Sequence, residues 1–192
     1  MPETAYSYIV IPMTDQNLSE WQSGNVAAFE ALFQQYQKLV FKNAYLITGT
    51  KEDAEDILQE VFVSVWRSRH TFNPTKGKLT TWLYRVTVNK CMEKRRKKNL
   101  TAVSLEGIDL PETKSVDDVL ISRQEYERLI EAMDSLDTKH RVVLVLRYFN
   151  DLSYQEIAET VGIPLGTVKS RINQALRLLR EQFDTRQRKV PG

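Results

Sequence analysis

Asn150 to Arg180 reads NDLSYQEIAETVGIPLGTVKSRINQALRLLR, and this stretch decides the fold. Ser153-Tyr154-Gln155-Glu156 has the S-x-x-E form of a capping box, in which the serine hydroxyl accepts from the third helical amide and the glutamate reaches back. Tyr154, Ile157, Ala158 and Val161 follow at helical spacing on one face. Gly162 stands where a left-handed residue ends a helix, and Pro164 can open the next, where its missing amide would go unpaired anyway. The second helix places Val168, Ile172, Ala175, Leu176, Leu179 and Phe183 on one apolar stripe. Its other face carries Thr167, Lys169, Ser170, Arg171, Asn173, Gln174 and Arg177, all donors with hardly an acid among them. Two helices joined by a short glycine corner form a helix-turn-helix unit, whose second helix lies in the major groove. Side chains of these kinds meet phosphates and base edges there. The plainer alternative is a helical hairpin with a solvated basic face.

Composition narrows the classes. At 192 residues there is room for one or two domains, and a net charge of +2 does not by itself announce nucleic acid. A single cysteine, Cys91, excludes an internal disulfide and a thiolate-rich zinc site, and suits a reducing cytoplasm. With only His70 and His140, both expected at the surface or in caps, no metal centre and no cofactor are expected. The first residues, MPETAYSYIVIPMTDQN, lack a basic n-region and are not expected to act as a signal peptide. No run approaches the roughly 18 apolar residues of a membrane span. The expectation is a cytoplasmic, all-α protein that does not insert into a membrane.

Working outward, residues 1–18 show no usable period and are expected to form an N-terminal tail. Helical periodicity starts at Asn25, with Val26, Phe29, Leu32, Phe33, Tyr36, Leu39, Val40 and Phe41 on a wide stripe that Gly49 ends. Thr50 opens a second helix, with Ala54, Ile57, Leu58, Val61, Phe62, Val65 and Trp66 inward and Glu52, Asp53, Glu55, Asp56 and Glu60 outward. A loop, TFNPTKGK from Thr71, leads to a third helix over 80–98 that buries Trp82, Leu83, Val86 and Met92. From Arg85 to Lys98 there are seven basic residues and one acid, a local balance of +6. An acidic helix beside a basic one predicts two opposed patches for different partners. Residues 99–118 lose periodicity, turn acidic and read as a linker. Helices resume over 119–136 and 138–149, so that 119–186 makes a four-helix domain, followed by a short tail over 187–192. The fold class expected is therefore two small helical domains joined by a linker.

These residues resemble the extracytoplasmic-function (ECF) sigma factors, the small specificity subunits of bacterial RNA polymerase. DAEDILQEVFVSVW is similar to the core-binding helix of sigma region two, LTTWLYRVTVNKCMEKRR to the minus-ten helix after it, and LRYFNDLSYQEIAETVGIPLGTVKSRINQALRLLR to region four. The resemblance implies region two over 19–98 and region four over 119–186, with no catalytic centre. It implies that Asp56, Gln59 and Glu60 dock on core polymerase, at the β′ clamp helices, with the β subunit as a further contact. It assigns the minus-ten element to Asn73, Lys76, Lys78, Trp82, Arg85, Asn89 and Lys90, and the minus-thirty-five element to Thr167, Lys169, Ser170, Arg171, Asn173, Gln174 and Arg177. An anti-sigma factor is the further partner the family implies, and the acidic linker is similar to the segment that threads toward the polymerase active site. Gln174 and Leu176 depart from the basic residues many members carry there. Two other classes compete: a stand-alone helix-turn-helix regulator, which the second basic helix disfavours, and a helical nuclease, for which no metal-spaced carboxylate pair stands out.

Overall fold

The computed structural model describes residues 13–101 and 130–187. Among these, every regular element is helical: α1 Asp15–Gln22, α2 Val26–Thr48, α3 Lys51–Arg67, α4 Leu79–Thr101, α5 Thr138–Leu144, α6 Tyr154–Val161 and α7 Leu165–Gln187. A 3₁₀ turn, Arg69–Thr71, follows α3, and α5 runs on into a π-helical turn, Val145–Phe149. The helix α4 runs to Thr101, three residues into the stretch expected to be a linker; residues 102–118, most of the helix expected over 119–136 and residues 188–192 lie outside the described residues. Residues 130–134 are helical, with Ile130 half-buried and Met133 buried.

Local chemistry accounts for the ends. Asn25 and Thr50 cap α2 and α3 by accepting from Ala28 and Asp53 amides. Such caps stabilise a helix by about 1 kcal/mol. Both halves of the Ser153–Glu156 capping box form, and Gly162 closes α6 at φ 72°. Pro164 sits one position outside α7, its carbonyl accepting from Val168 N at 3.1 Å. Gly49 ends α2 at φ 86°. The left-handed backbone disfavours a side chain, and a Cβ would run into the Asp134 carboxylate and, at 2.9 Å, Arg141 Nη1.

Helices α2, α3 and α4 pack around Leu32, Tyr36, Val40, Ile57, Val61, Val65, Leu83, Val88 and Cys91. The Cys91 thiol is fully buried, and burial pushes its pKa up to about 12, so it is a packing group rather than a nucleophile. Helices α5, α6 and α7 pack around Val143, Leu146, Ile157, Val168, Ile172 and Ala175.

Several expectations need correction. The helix α1 begins inside the stretch expected to be a tail: Thr14 accepts from Asn17 N at 3.2 Å, and Leu18 and Trp21 are buried. Eight residues show barely two helical turns, too short for periodicity to register. Met92 is 41% exposed, and Thr87, Val88 and Cys91 take the inward positions instead. Leu176 and Phe183 are likewise 42% and 37% exposed, because the core of α7 narrows to Val168, Ile172, Ala175 and Leu179. His140 is buried in α5, not at the surface.

The two helical groups are docked on each other. Asn43, buried in α2, and Asn150 exchange side-chain amide hydrogen bonds, and Asn43 also donates to Leu39 O at 2.8 Å. Arg141 is buried; it pairs with Asp134 at 2.8 Å and donates to Ile47 O at the end of α2. Arg85 of α4 donates to Glu159 O of α6 at 2.8 Å. Asp151, the one described non-glycine residue with positive φ (55°), turns the chain from the π-helical turn toward α6. Its charge lies near Lys42 and Tyr84, whose phenol is raised to about 12 by burial and then by Asp151 and Tyr36.

Candidate polymerase and promoter interfaces

Helix α3 shows Asp56, Gln59 and Glu60 to solvent, one helical turn of adjacent positions, with Val63 49% exposed one turn further on. The acids do not stand alone. Helix α4 runs antiparallel beside them, and Lys94 reaches Asp56 at 2.6 Å and Asp53 at 3.3 Å. Lys98 reaches Asp53 at 2.8 Å, and Lys90 reaches Glu60 at 3.6 Å and Glu93 at 3.2 Å. The acidic and basic helices expected to form opposed patches therefore neutralise each other along their seam. Asp53 is the most enclosed of the set, its side chain 14% exposed. Burial alone would raise its pKa, but the hydrogen bonds and charges of Lys98 and Lys94 outweigh that and hold it below the usual carboxylate range.

The minus-ten candidates divide between a loop and a helix. In the loop, Asn73, Lys76 and Lys78 are exposed. Asn73 Oδ1 accepts from Thr75 N and Oγ1 at 2.9 and 2.8 Å, and Lys76 N donates to Asn73 O at 3.0 Å. This closed turn leaves both lysine side chains outward. On α4, Arg85 and Asn89 share an exposed face, whereas Lys90 points a quarter-turn or more away into the acids of the α3 seam. Trp82 is half-buried, packed edge-on against Trp21 with centroids 5.9 Å apart and tilted against Phe72 at 5.7 Å.

On α7, Lys169, Ser170, Asn173, Gln174 and Arg177 are exposed, and Thr167 and Arg171 half-exposed, on the face opposite Val168 and Ile172. Arg177 makes the one ion pair seen on this face among the described residues, a long contact to Glu181 at 4.0 Å. Helix α6 lies against the inner side of α7, fixing the corner expected of a helix-turn-helix.

Comparison with known proteins agrees with this geometry. Residues 32–101 match Sigma-70 region 2 and residues 132–181 match Sigma-70 region 4. The chain is 30% identical to the ECF RNA polymerase sigma factor SigW of Bacillus subtilis, over 89% of this chain and 97% of that one. This chain belongs to the ECF RNA polymerase sigma factors. The Escherichia coli sigma-E factor is 31% identical over 91% of this sigma factor and 94% of its own length. In fold, the sigma factor is similar to RpoE of Bartonella quintana, solved with the anti-sigma factor NepR, at a TM-score of 0.67 and 20% identity over 81% of this chain and 96% of that one. It is similar also to CnrH, solved with the cytosolic domain of CnrY, at a TM-score of 0.64 and 24% identity over 88% and 96%. Two sigma regions in order set aside the stand-alone helix-turn-helix regulator: this is a promoter-directing subunit of RNA polymerase, of a family of non-enzymatic DNA-binding regulators. Among the described residues no helix is long and apolar enough to cross a membrane.

Sequence reasoning missed Gln22, Asn43, Arg141 and Asn150, all of which join elements distant in the chain. Thr14-Asp15 ahead of Leu18 and Trp21 was the one local signal for α1, a cap followed by an i, i+3 apolar pair.

Proposed function

We propose that the sigma factor docks on core polymerase through Asp56, Gln59 and Glu60 and reads a two-part promoter with two separate surfaces. Asn73, Lys76, Lys78, Arg85 and Asn89 take the melted minus-ten strand, with Trp82 as the aromatic backing of that surface and Lys90 anchoring α4 to α3 beside it. Thr167, Lys169, Ser170, Arg171, Asn173, Gln174 and Arg177 take the minus-thirty-five duplex in its major groove. The observation that carries this reading is the separation of surfaces: the exposed α3 face, the 73–78 loop with the Arg85–Asn89 face, and the outer face of α7 lie on different elements. Neither DNA surface is large, and joining the two in one holoenzyme multiplies their affinities through effective concentration. Arg85 is engaged with Glu159 O in the docked arrangement, so DNA at the α4 face has to displace α6 from it. The sigma factor supplies no catalytic group in this reading; the polymerase makes the RNA, in the cytoplasm. An anti-sigma factor fits as a regulator, since related sigma factors were solved bound to one and the same surfaces would be masked.

The deciding experiment is run-off transcription with core polymerase on a genome-wide template pool. Defined starts that require both promoter elements are expected. Absence of any sigma-dependent start, or tight site-specific DNA binding by the protein without polymerase, overturns the reading.

A further inference from the structure

Helix α1 lies upstream of residue 32, where the match to region two begins, yet it meets both ends of the 73–78 loop. Trp21 is fully buried, with its ring 6.2 Å from that of Phe72, before the loop, and 5.9 Å from that of Trp82, after it. The side chain of Gln22, the last residue of α1, turns its amide nitrogen onto two main-chain carbonyls. It donates to Phe72 O at 2.6 Å and to Arg69 O at 3.2 Å, across 50 and 47 residues of sequence. These carbonyls belong to the 3₁₀ turn and the residue that launches the loop. Arg69 is held in turn by Trp66, donating to its carbonyl at 2.8 Å and lying 4.6 Å over its ring.

From this we propose that Gln22 is a positioning residue for promoter recognition, fixing the minus-ten loop through its Arg69 and Phe72 carbonyls while Trp21 seats both loop ends. Capturing an unstacked base demands placement within about half an ångström of the productive geometry, held by groups behind the contacting ones. A loop whose ends slide loses that placement without losing its lysines. An amide suits this role where other side chains of its length do not. A glutamate would face two carbonyls with acceptors alone, and a leucine would leave both without their donor. The inference rests on the minus-ten assignment made above.

The test uses holoenzyme assembled from core polymerase with Gln22→Leu, Gln22→Glu or unaltered sigma factor. The probes are a fluorescent single-stranded oligonucleotide carrying the minus-ten element returned by run-off selection, and promoters with each base substituted in that element. Both variants are expected to bind the oligonucleotide about tenfold more weakly, Gln22→Glu the more severely. The spread of transcription across the base substitutions should narrow by a similar factor, while core affinity and minus-thirty-five duplex binding stay unchanged and the melting temperature falls by only a few degrees. A narrowed base preference is what a purely structural role would not produce. Undiminished discrimination by Gln22→Leu overturns the inference, as does a uniform loss on every promoter that follows weakened core binding. Asn73→Ala and Lys78→Ala separate the two layers: if they too leave the base preference untouched, the minus-ten assignment itself fails. If they alter it and the Gln22 variants do not, only the role of α1 falls.

Discussion

The two basic helices of this sigma factor look alike in sequence and differ in what their charges do. On α4, Lys90, Lys94 and Lys98 turn toward α3, where Asp53, Asp56 and Glu60 meet them at 2.6 to 3.6 Å. On α7, the polar residues from Thr167 to Arg177 face outward, with the 4.0 Å contact to Glu181 as the ion pair seen there among the described residues. A positive charge already paired with a carboxylate neutralises little of the phosphate charge and releases few of the counterions condensed on DNA, whereas an outward one releases more. The difference teaches that a run of lysines measures DNA affinity only after the charges spent within the fold have been set aside.

The comparison can be broken first at its acidic side. The double charge reversal Asp56→Arg, Glu60→Arg is expected to weaken core polymerase binding at least tenfold, measured by anisotropy titration. Undiminished binding would reduce these acids to counterions for α4. Next, Arg171→Ala should lower transcription roughly 5- to 150-fold from promoters with an intact upstream element, the range set by one base-edge contact of about 1–3 kcal/mol. It should leave core affinity alone; an equal drop on promoters with an altered upstream element would count against the groove assignment.

A finer cut compares single lysines. Lys169→Ala should reduce the slope of log affinity against log salt for duplex DNA by about 1, while Lys94→Ala leaves it unchanged. Equal slopes for both variants would erase the contrast between α4 and α7. The smallest effect concerns stability. Asp53 is held below its ordinary value of 3.8 in the folded chain, so its contribution is fully present above that value and is lost as pH falls through the folded one. The melting temperature of Asp53→Asn should therefore lie a few degrees under that of the unaltered protein at pH 7, with the gap closing below about pH 4. A gap that does not narrow at all as pH falls from 7 through 3.8 and below would show that the carboxylate's charge is not what Lys94 and Lys98 stabilise.

Much of this architecture was legible because its signals are local. The Ser153–Glu156 box, Gly49, Gly162 and the stripes of α3 and α6 are set by residues within a few positions of one another, and each sits where its spacing put it, as does the α2 stripe apart from Val26, which is 68% exposed at the helix start. The misreadings concern partners far off in the chain. Met92, Leu176 and Phe183 fit an apolar period, yet they are 41%, 42% and 37% exposed. Lys90 fits a basic face until α3 is laid beside it. Trp82, expected both on the buried side of α4 and among the minus-ten residues, is set half into the core by Trp21, 61 positions upstream.

The clasp between Asn43 and Asn150 joins positions 107 residues apart through uncharged groups. Ionic strength dissolves attachments made by phosphates and lysines, but it has little hold on a pair of carboxamides. Brine strong enough to loosen this subunit's grip on a gene would therefore leave this clasp all but untouched.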